Sequence, residues 1–209
     1  MHFLDIKHIA FEALGYPISY VELAATFFGL ISIYLASRAN ILTWPTGIIN
    51  EFFLFVLFFQ IQLYPDMFLQ VHFFIVTLYG WYHWRAKPSQ VAIATINPKA
   101  RLLLATSIGV GSLVAGYFFA NIHLYLPTYF ELEAAYPYAD SFIMVCSIVA
   151  TVLLATKKLE SWYLWIAVDL VCTILYFQKG IYFLSLEYLI FLGLASYGLY
   201  HWKQQLKHG

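Results

Sequence analysis

"YGWYHWR" (79–85) and "YGLYHWK" (197–203) lie 118 positions apart and differ at two of seven residues. "LFFQIQLY" (57–64) and "LYFQKGIY" (175–182) keep the same separation. Carried across 44–85 without a gap, the shift leaves twelve of 42 positions identical, Trp44/Trp162, Gln60/Gln178, Gly80/Gly198, His83/His201 and Trp84/Trp202 among them. Two pairs of acids obey it as well, Glu22/Asp140 and Glu51/Asp169. An ungapped match of this length marks a duplicated structural unit, and the fold is read outward from it.

Of the 209 residues, 62% are hydrophobic, 20% are aromatic and only 11% are charged. A soluble domain carries about a quarter of its residues as charges. The chain therefore reads as an all-α integral membrane protein. Its zero formal net charge argues against a nucleic-acid partner. Crossing a bilayer takes about 20 mostly apolar residues. Polar and Pro/Gly punctuation divides the chain into seven transmembrane helices, at 20–37, 44–63, 66–84, 102–120, 138–156, 162–178 and 181–202.

Residues 1–19 are expected to form an amphipathic N-terminal segment, a surface helix with Phe3, Ile6, Ala10 and Leu14 toward lipid. Its acids Asp5 and Glu12 and its broken apolar run exclude a signal peptide. Spans 1–3 (20–84) form repeat 1, and 85–137 is a linker holding span 4. Spans 5–7 (138–203) form repeat 2, and 204–209 is a tail. The aromatic stretch 121–137 suits headgroup depth. Cys146 and Cys172 lie inside apolar runs and read as small buried hydrophobes. Nine of the eleven Lys and Arg (Arg38, Arg85, Lys87, Lys99, Arg101, Lys157, Lys158, Lys203, Lys207) fall on one side of this scheme, and Lys7 and Lys179 on the other. The excess sets the C-terminus in the cytoplasm and the N-terminus outside, in a plasma (inner) membrane. One span between two triplets makes both enter the membrane from the same side. That 3+1+3 pattern of parallel repeats is a transporter architecture.

Candidate site residues are polar or aromatic groups at bilayer depth. In "ESWYLWIAVDL" (160–170), Trp162, Trp165 and Asp169 share one helix face, which Thr173 and Tyr176 continue. Two indoles and an acid can stack a flat ring and attract positive charge. The structural alternatives are an interfacial indole belt for Trp162 and a protonated acid tying helices for Asp169. Glu51 is the repeat mate of Asp169, with Asn50 beside it, and Trp44 is the mate of Trp162. Gln70 is expected to point inward, since an amide facing lipid is costly. Its repeat mate is Tyr188, next to Glu187. A charge at the bilayer centre costs at least about 3 kcal/mol, so each acid faces a cavity, finds a partner or is protonated.

Gln60 suits a structural role, His72 a weak proton relay, and His83 and His201 interface anchoring. There is no Gly-rich phosphate loop, CxxC or HExxH. No cofactor, metal or catalytic pair is expected, and the chain does not read as an enzyme.

"WPTGIINEFFLFVLFFQIQLY", "LQVHFFIVTLYGWYHW", "DSFIMVCSIVATVLLATKKLESWYLWIAVD" and "KGIYFLSLEYLIF" resemble the PnuC family of bacterial vitamin transporters, over about 20–203. The resemblance implies a seven-span 3+1+3 fold similar to the SWEET sugar transporters, with another helix order within each half. It implies uptake of nicotinamide riboside by facilitated diffusion, with a cytoplasmic kinase trapping the substrate by phosphorylation. It implies a homotrimer, and a site at Trp162, Trp165, Asp169, Asn50, Gln70, Glu187 and Tyr188. Members of the family often carry Asn where this chain has Asp169. Thiamine or riboflavin transport on the same scaffold is one alternative. A vitamin-binding membrane sensor or scaffold without transport is another. A phosphorylated substrate is disfavoured, because the expected cavity holds acids and no Arg or Lys.

Overall fold

A computed structural model describes residues 4–13, 15–61, 64–86, 92–125 and 135–208. Two short strands, β1 (Ile9–Ala13) and β2 (Tyr16–Ser19), precede the helices α1 (Tyr20–Ser37), α2 (Thr43–Gln60), α3 (Tyr64–Ala86) and α4 (Pro98–Ala120). One turn, α5 (Ile122–Tyr125), leads to α6 (Pro137–Ala155), α7 (Glu160–Gln178) and α8 (Tyr182–His208). Five of the long helices, α1, α4, α6, α7 and α8, are long and apolar enough to cross a membrane. Many large apolar side chains on the outside of the molecule are exposed, Leu102, Leu113 and Phe177 among them, as expected where lipid is the solvent.

The helix ends follow local chemistry. Ser19 caps α1: its Oγ accepts from the Glu22 N–H at 3.2 Å, and Glu22 Oε2 accepts from the Ser19 N–H at 2.8 Å. Asn97 caps α4 by accepting from the Ala100 N–H at 2.7 Å, with Pro98 opening the helix. This cap starts α4 four residues before the predicted span. The turns after α1 and α6 each use a non-glycine residue in the left-handed region, Ala39 (φ 51°) and Lys157 (φ 50°), and these also stand 118 apart.

Residues 1–19 depart from the expected surface helix. Ile9–Ala13 pairs antiparallel with Tyr16–Ser19, and Gly15 (φ 77°) turns the chain between them. Pro17 lacks the N–H that a helix would use there. The hairpin is tied down from below. Gln60 Nε2 donates to the Leu4 carbonyl at 2.6 Å, its Oε1 accepts from the Ile6 N–H at 3.1 Å, and Tyr16 stacks on Phe183 at 5.8 Å. Phe3, Leu14 and positions 126–134 lie outside the described residues.

Packing follows the sequence shift. α1 packs on α2 as α6 packs on α7, and α2 on α3 as α7 on α8. The two trios meet along two seams, α1 against α8 and α3 against α6, and α4 lies beside α6. One end of the bundle carries the hairpin. The other, basic end carries the described members of the Lys/Arg-rich set.

Candidate functional site

At the basic end four tryptophans close the bundle. Trp44 meets Trp84 edge to face at 5.0 Å, Trp162 meets Trp202 the same way at 5.5 Å, and Trp84 and Trp202 lie 6.4 Å apart. A glycine makes room for each inner ring, Gly80 for Trp44 and Gly198 for Trp162. At Gly198 an added Cβ would come within 2.7 Å of the Trp162 ring, so only hydrogen fits. Two bonds cross the seams: Trp84 Nε1 donates to the Ala155 carbonyl at 3.0 Å, and Trp202 Nε1 to the Ala36 carbonyl at 3.1 Å.

Trp162, 1% exposed, is therefore a packed core ring; the interfacial-belt reading does not hold for it. Trp44 is packed in the same way. The Nε1 atoms of both are buried without a hydrogen-bond partner. His83 and His201 stack on Tyr79 and Tyr197 beside this box.

Midway along the helices the two halves stop matching. In the first, Thr77 Oγ1 of α3 donates to Glu51 Oε1 of α2 at 2.5 Å. Gly47, one turn before Glu51, leaves room there for Ser32 and Thr77. Moved by 118, Gly47 becomes Trp165, Glu51 becomes Asp169 and Thr77 becomes Ala195. Asp169 is 4% exposed and has lost that hydroxyl. Among the described residues its carboxyl makes no side-chain hydrogen bond and no ion pair; the one ion pair is Arg101–Glu160. Trp165, half-buried, packs against both the tryptophan box and an apolar cluster holding Val168, Cys172 and Tyr188. Tyr188 in turn stacks on Tyr176 at 5.4 Å. Trp165, Asp169 and Tyr188 are thus brought into one neighbourhood.

The other candidates lie elsewhere. Asn50 Nδ2 donates to the Ala25 carbonyl at 2.7 Å and ties α2 to α1. Glu187 of α8 is hydrogen-bonded to Thr26 across the α1–α8 seam. Glu51 and Gln70, 8% and 6% exposed, sit beside a cavity of about 510 Å³ between α2 and α3, walled by Ile48, Phe52, Phe55 and Phe74. One oxygen of each, Glu51 Oε2 and Gln70 Oε1, is buried without a partner.

Thr77, Trp84 and Trp202 escaped the sequence reading. The repeat shift held the signal for Thr77, as a hydroxyl in one half facing a methyl in the other. Cys146 and Cys172 are buried free thiols, as expected. No metal cluster occurs among the described residues.

Comparison with known proteins agrees with this architecture. The model of the nicotinamide mononucleotide transporter family matches residues 19–204. The nicotinamide riboside transporter PnuC of Escherichia coli K12 is 36% identical, over 94% of this chain and 90% of its own. The riboflavin/roseoflavin transporter RibM of Streptomyces davaonensis is 29% identical, over 92% of this chain and 89% of its own. The crystal structure of a vitamin B3 transporter PnuC shares the fold, with a TM-score of 0.68 at 22% identity, over 90% of this chain and 83% of that one. The chain belongs to the nicotinamide mononucleotide transporter family.

Proposed function

We propose that this protein carries nicotinamide riboside into the cell by facilitated diffusion across the plasma (inner) membrane. The reading rests on one observation: a buried carboxyl with no side-chain hydrogen bond or ion pair among the described residues, one helical turn from a half-buried indole. Nicotinamide riboside is a flat cationic ring. Trp165 would stack it, as a cation over an indole face. Asp169 would meet its charge and Tyr188 would take a ribose or carboxamide group, while Gln70 lines the cavity between α2 and α3. Trp162 and Trp44 brace the floor at the basic end. Asn50, Glu51 and Glu187 hold helices against one another around the site.

In this reading the seven long helices all cross the bilayer, as a SWEET-like 3+1+3 fold with the N-terminus outside and the C-terminus in the cytoplasm. Residues 20–84 and 138–203 are the two repeats, joined by the linker 85–137. Rocking at the α1–α8 and α3–α6 seams opens the site to alternate sides. The Trp84 and Trp202 bonds close its cytoplasmic end. Phosphorylation by a cytoplasmic kinase removes the substrate inside and sets the direction of flow. The chain acts as a homotrimer and has no catalytic role.

The similarity to a riboflavin carrier supports a second reading, an uncharged aromatic vitamin. Asp169 weighs against it, because a neutral ring gives a buried acid nothing to pair with. Thiamine, also a cationic ring, is the closer rival. The test is uptake of labelled nicotinamide riboside, thiamine and riboflavin by cells expressing the chain, with and without the matching kinase. Nicotinamide riboside is expected to accumulate only with its kinase. Uptake of riboflavin or thiamine alone would move the assignment to that vitamin.

A further inference from the structure

The hairpin end of the α1–α8 seam carries a piece that the duplication does not repeat. Polar contacts fasten the hairpin to repeat 1. Gln60, at the end of α2, holds both Leu4 and Ile6. Tyr16 Oη donates to Glu22 Oε1 at 2.7 Å, and the Ser19 N–H and Oγ donate to Glu22 Oε2 at 2.8 and 2.7 Å. The Tyr20 N–H donates to the His8 carbonyl at 3.1 Å. Ile18 and Ser19, each 1% exposed, root the second strand.

The hairpin reaches repeat 2 through another kind of contact. The ring of Tyr16 lies on that of Phe183, in the first turn of α8, at 5.8 Å with 5° between their planes. Two stacked rings come apart without leaving a buried donor or acceptor unpaired, so such a contact can be broken and remade. One turn further along α8, Glu187 meets Thr26 across the same seam. Repeat 2 has no copy of this arrangement. Gln178, the mate of Gln60, is exposed, and the sequence shift puts Pro65 in the place of Phe183.

We infer that the hairpin is a lid on the outer mouth of the transport path, carried by repeat 1 and closed on Phe183 of repeat 2. This rests on the transport reading above, with the hairpin outside the cell. Glu22 is a positioning residue: it fixes the Tyr16 hydroxyl, and with it the face that the ring turns to Phe183. When the halves rock apart at the α1–α8 seam, the lid stays with α1 and α2 and the stack parts. When they close, the stack forms again. At the opposite end of the bundle the Trp202–Ala36 bond holds the same seam shut. The structure is thus the carrier with this seam closed at both ends. The lid consumes no energy and moves no second ion, so flow still follows the substrate gradient.

The test places cysteines at both rings, Tyr16→Cys with Phe183→Cys, in the full-length chain expressed in cells. Bridging them with a short bifunctional thiol reagent should cut uptake of labelled nicotinamide riboside by about tenfold or more, because a gate that cannot open stops the cycle. A reductant that releases the bridge should restore it. Either single variant, given the same reagent, should keep its own untreated rate, which also controls for the buried Cys146 and Cys172. A second measurement needs no bridge. Tyr16→Ala should lower the maximal uptake rate about fivefold with KM for external substrate no higher, since the outer-open state gains population. Tyr16→Phe, which keeps the ring, should recover most of that rate. Unchanged uptake by the bridged chain would overturn the lid and leave the transport reading standing. So would failure of the pair to bridge when each cysteine reacts singly, or an equal block in a single variant. If a thiol reagent that cannot cross the membrane fails to reach Tyr16→Cys on intact cells, the outside placement of the hairpin falls. No uptake by the unaltered chain would overturn the transport reading itself.

Discussion

In the first half of the molecule Glu51 accepts from the Thr77 hydroxyl, and Gly47, one turn before it, lies against Ser32 and Thr77. In the second half the sequence shift puts Ala195 in the place of Thr77 and Trp165 in the place of Gly47. The backbone scaffold is shared, down to the left-handed residues Ala39 and Lys157 and the paired indoles of the floor. The chemistry is not. A duplicated unit needs two matching halves to rock, yet a single substrate has two different ends. In the proposed reading one half gives a hydroxyl to one oxygen of its acid and serves as structure. In that reading the other leaves its acid without such a hydroxyl, one turn from an indole, and serves as the site.

Four substitutions break or sharpen this contrast. The largest effect is expected from Trp165→Ala. Loss of ring stacking, worth about 1–3 kcal/mol per base, should weaken nicotinamide riboside binding by roughly tenfold to a hundredfold, measured by calorimetry. An affinity within twofold of the unaltered protein would move the stacking surface elsewhere.

Next comes Ala195→Thr, which copies the first half into the second. A hydroxyl given to Asp169 competes with the substrate for a net contribution of about 1 kcal/mol. Affinity should fall about fivefold, with thermal stability unchanged or raised. The converse, Thr77→Ala, should lower stability by about 1–3 kcal/mol and leave affinity within twofold.

The smallest effect belongs to Glu160→Gln. Glu160 accepts from Arg101 at 2.7 Å and from the Ile96 N–H at 3.2 Å, and the repeat shift places Leu42 at its equivalent. With Arg101 55% exposed, the pair contributes under about 1 kcal/mol. A small drop in melting temperature with unchanged uptake is expected; lost uptake would make this contact part of the transport cycle.

The helices were legible because lipid imposes a length and an apolar composition on each crossing, and α1, α6 and α7 fall within two residues of expectation. The hairpin was not. A short segment rich in aromatic and β-branched residues fits a surface helix or a strand pair alike, and contacts with Gln60 and Phe183 decide it. Asp169 and Trp165 stood out because an acid and an indole at membrane depth each need a reason. Trp162 was harder to place for a related cause: an indole suits the headgroup layer and a protein core equally, and only its packing on Gly198 separates the two. Asn50 and Glu187 were picked for their polarity, but polarity does not say whether the partner is a substrate or the neighbouring helix. For Asn50 that partner is the Ala25 carbonyl, and for Glu187 it is Thr26.

The most direct measurement is nicotinamide riboside affinity for Asp169→Asn beside Glu51→Gln, both purified and shown to be folded. Removing the counter-charge at the site should weaken binding about tenfold, near 1.4 kcal/mol. Removing its mate should change affinity by less than twofold while lowering stability. Equal losses in the two variants, or a loss confined to Glu51→Gln, would contradict the division of labour between the halves.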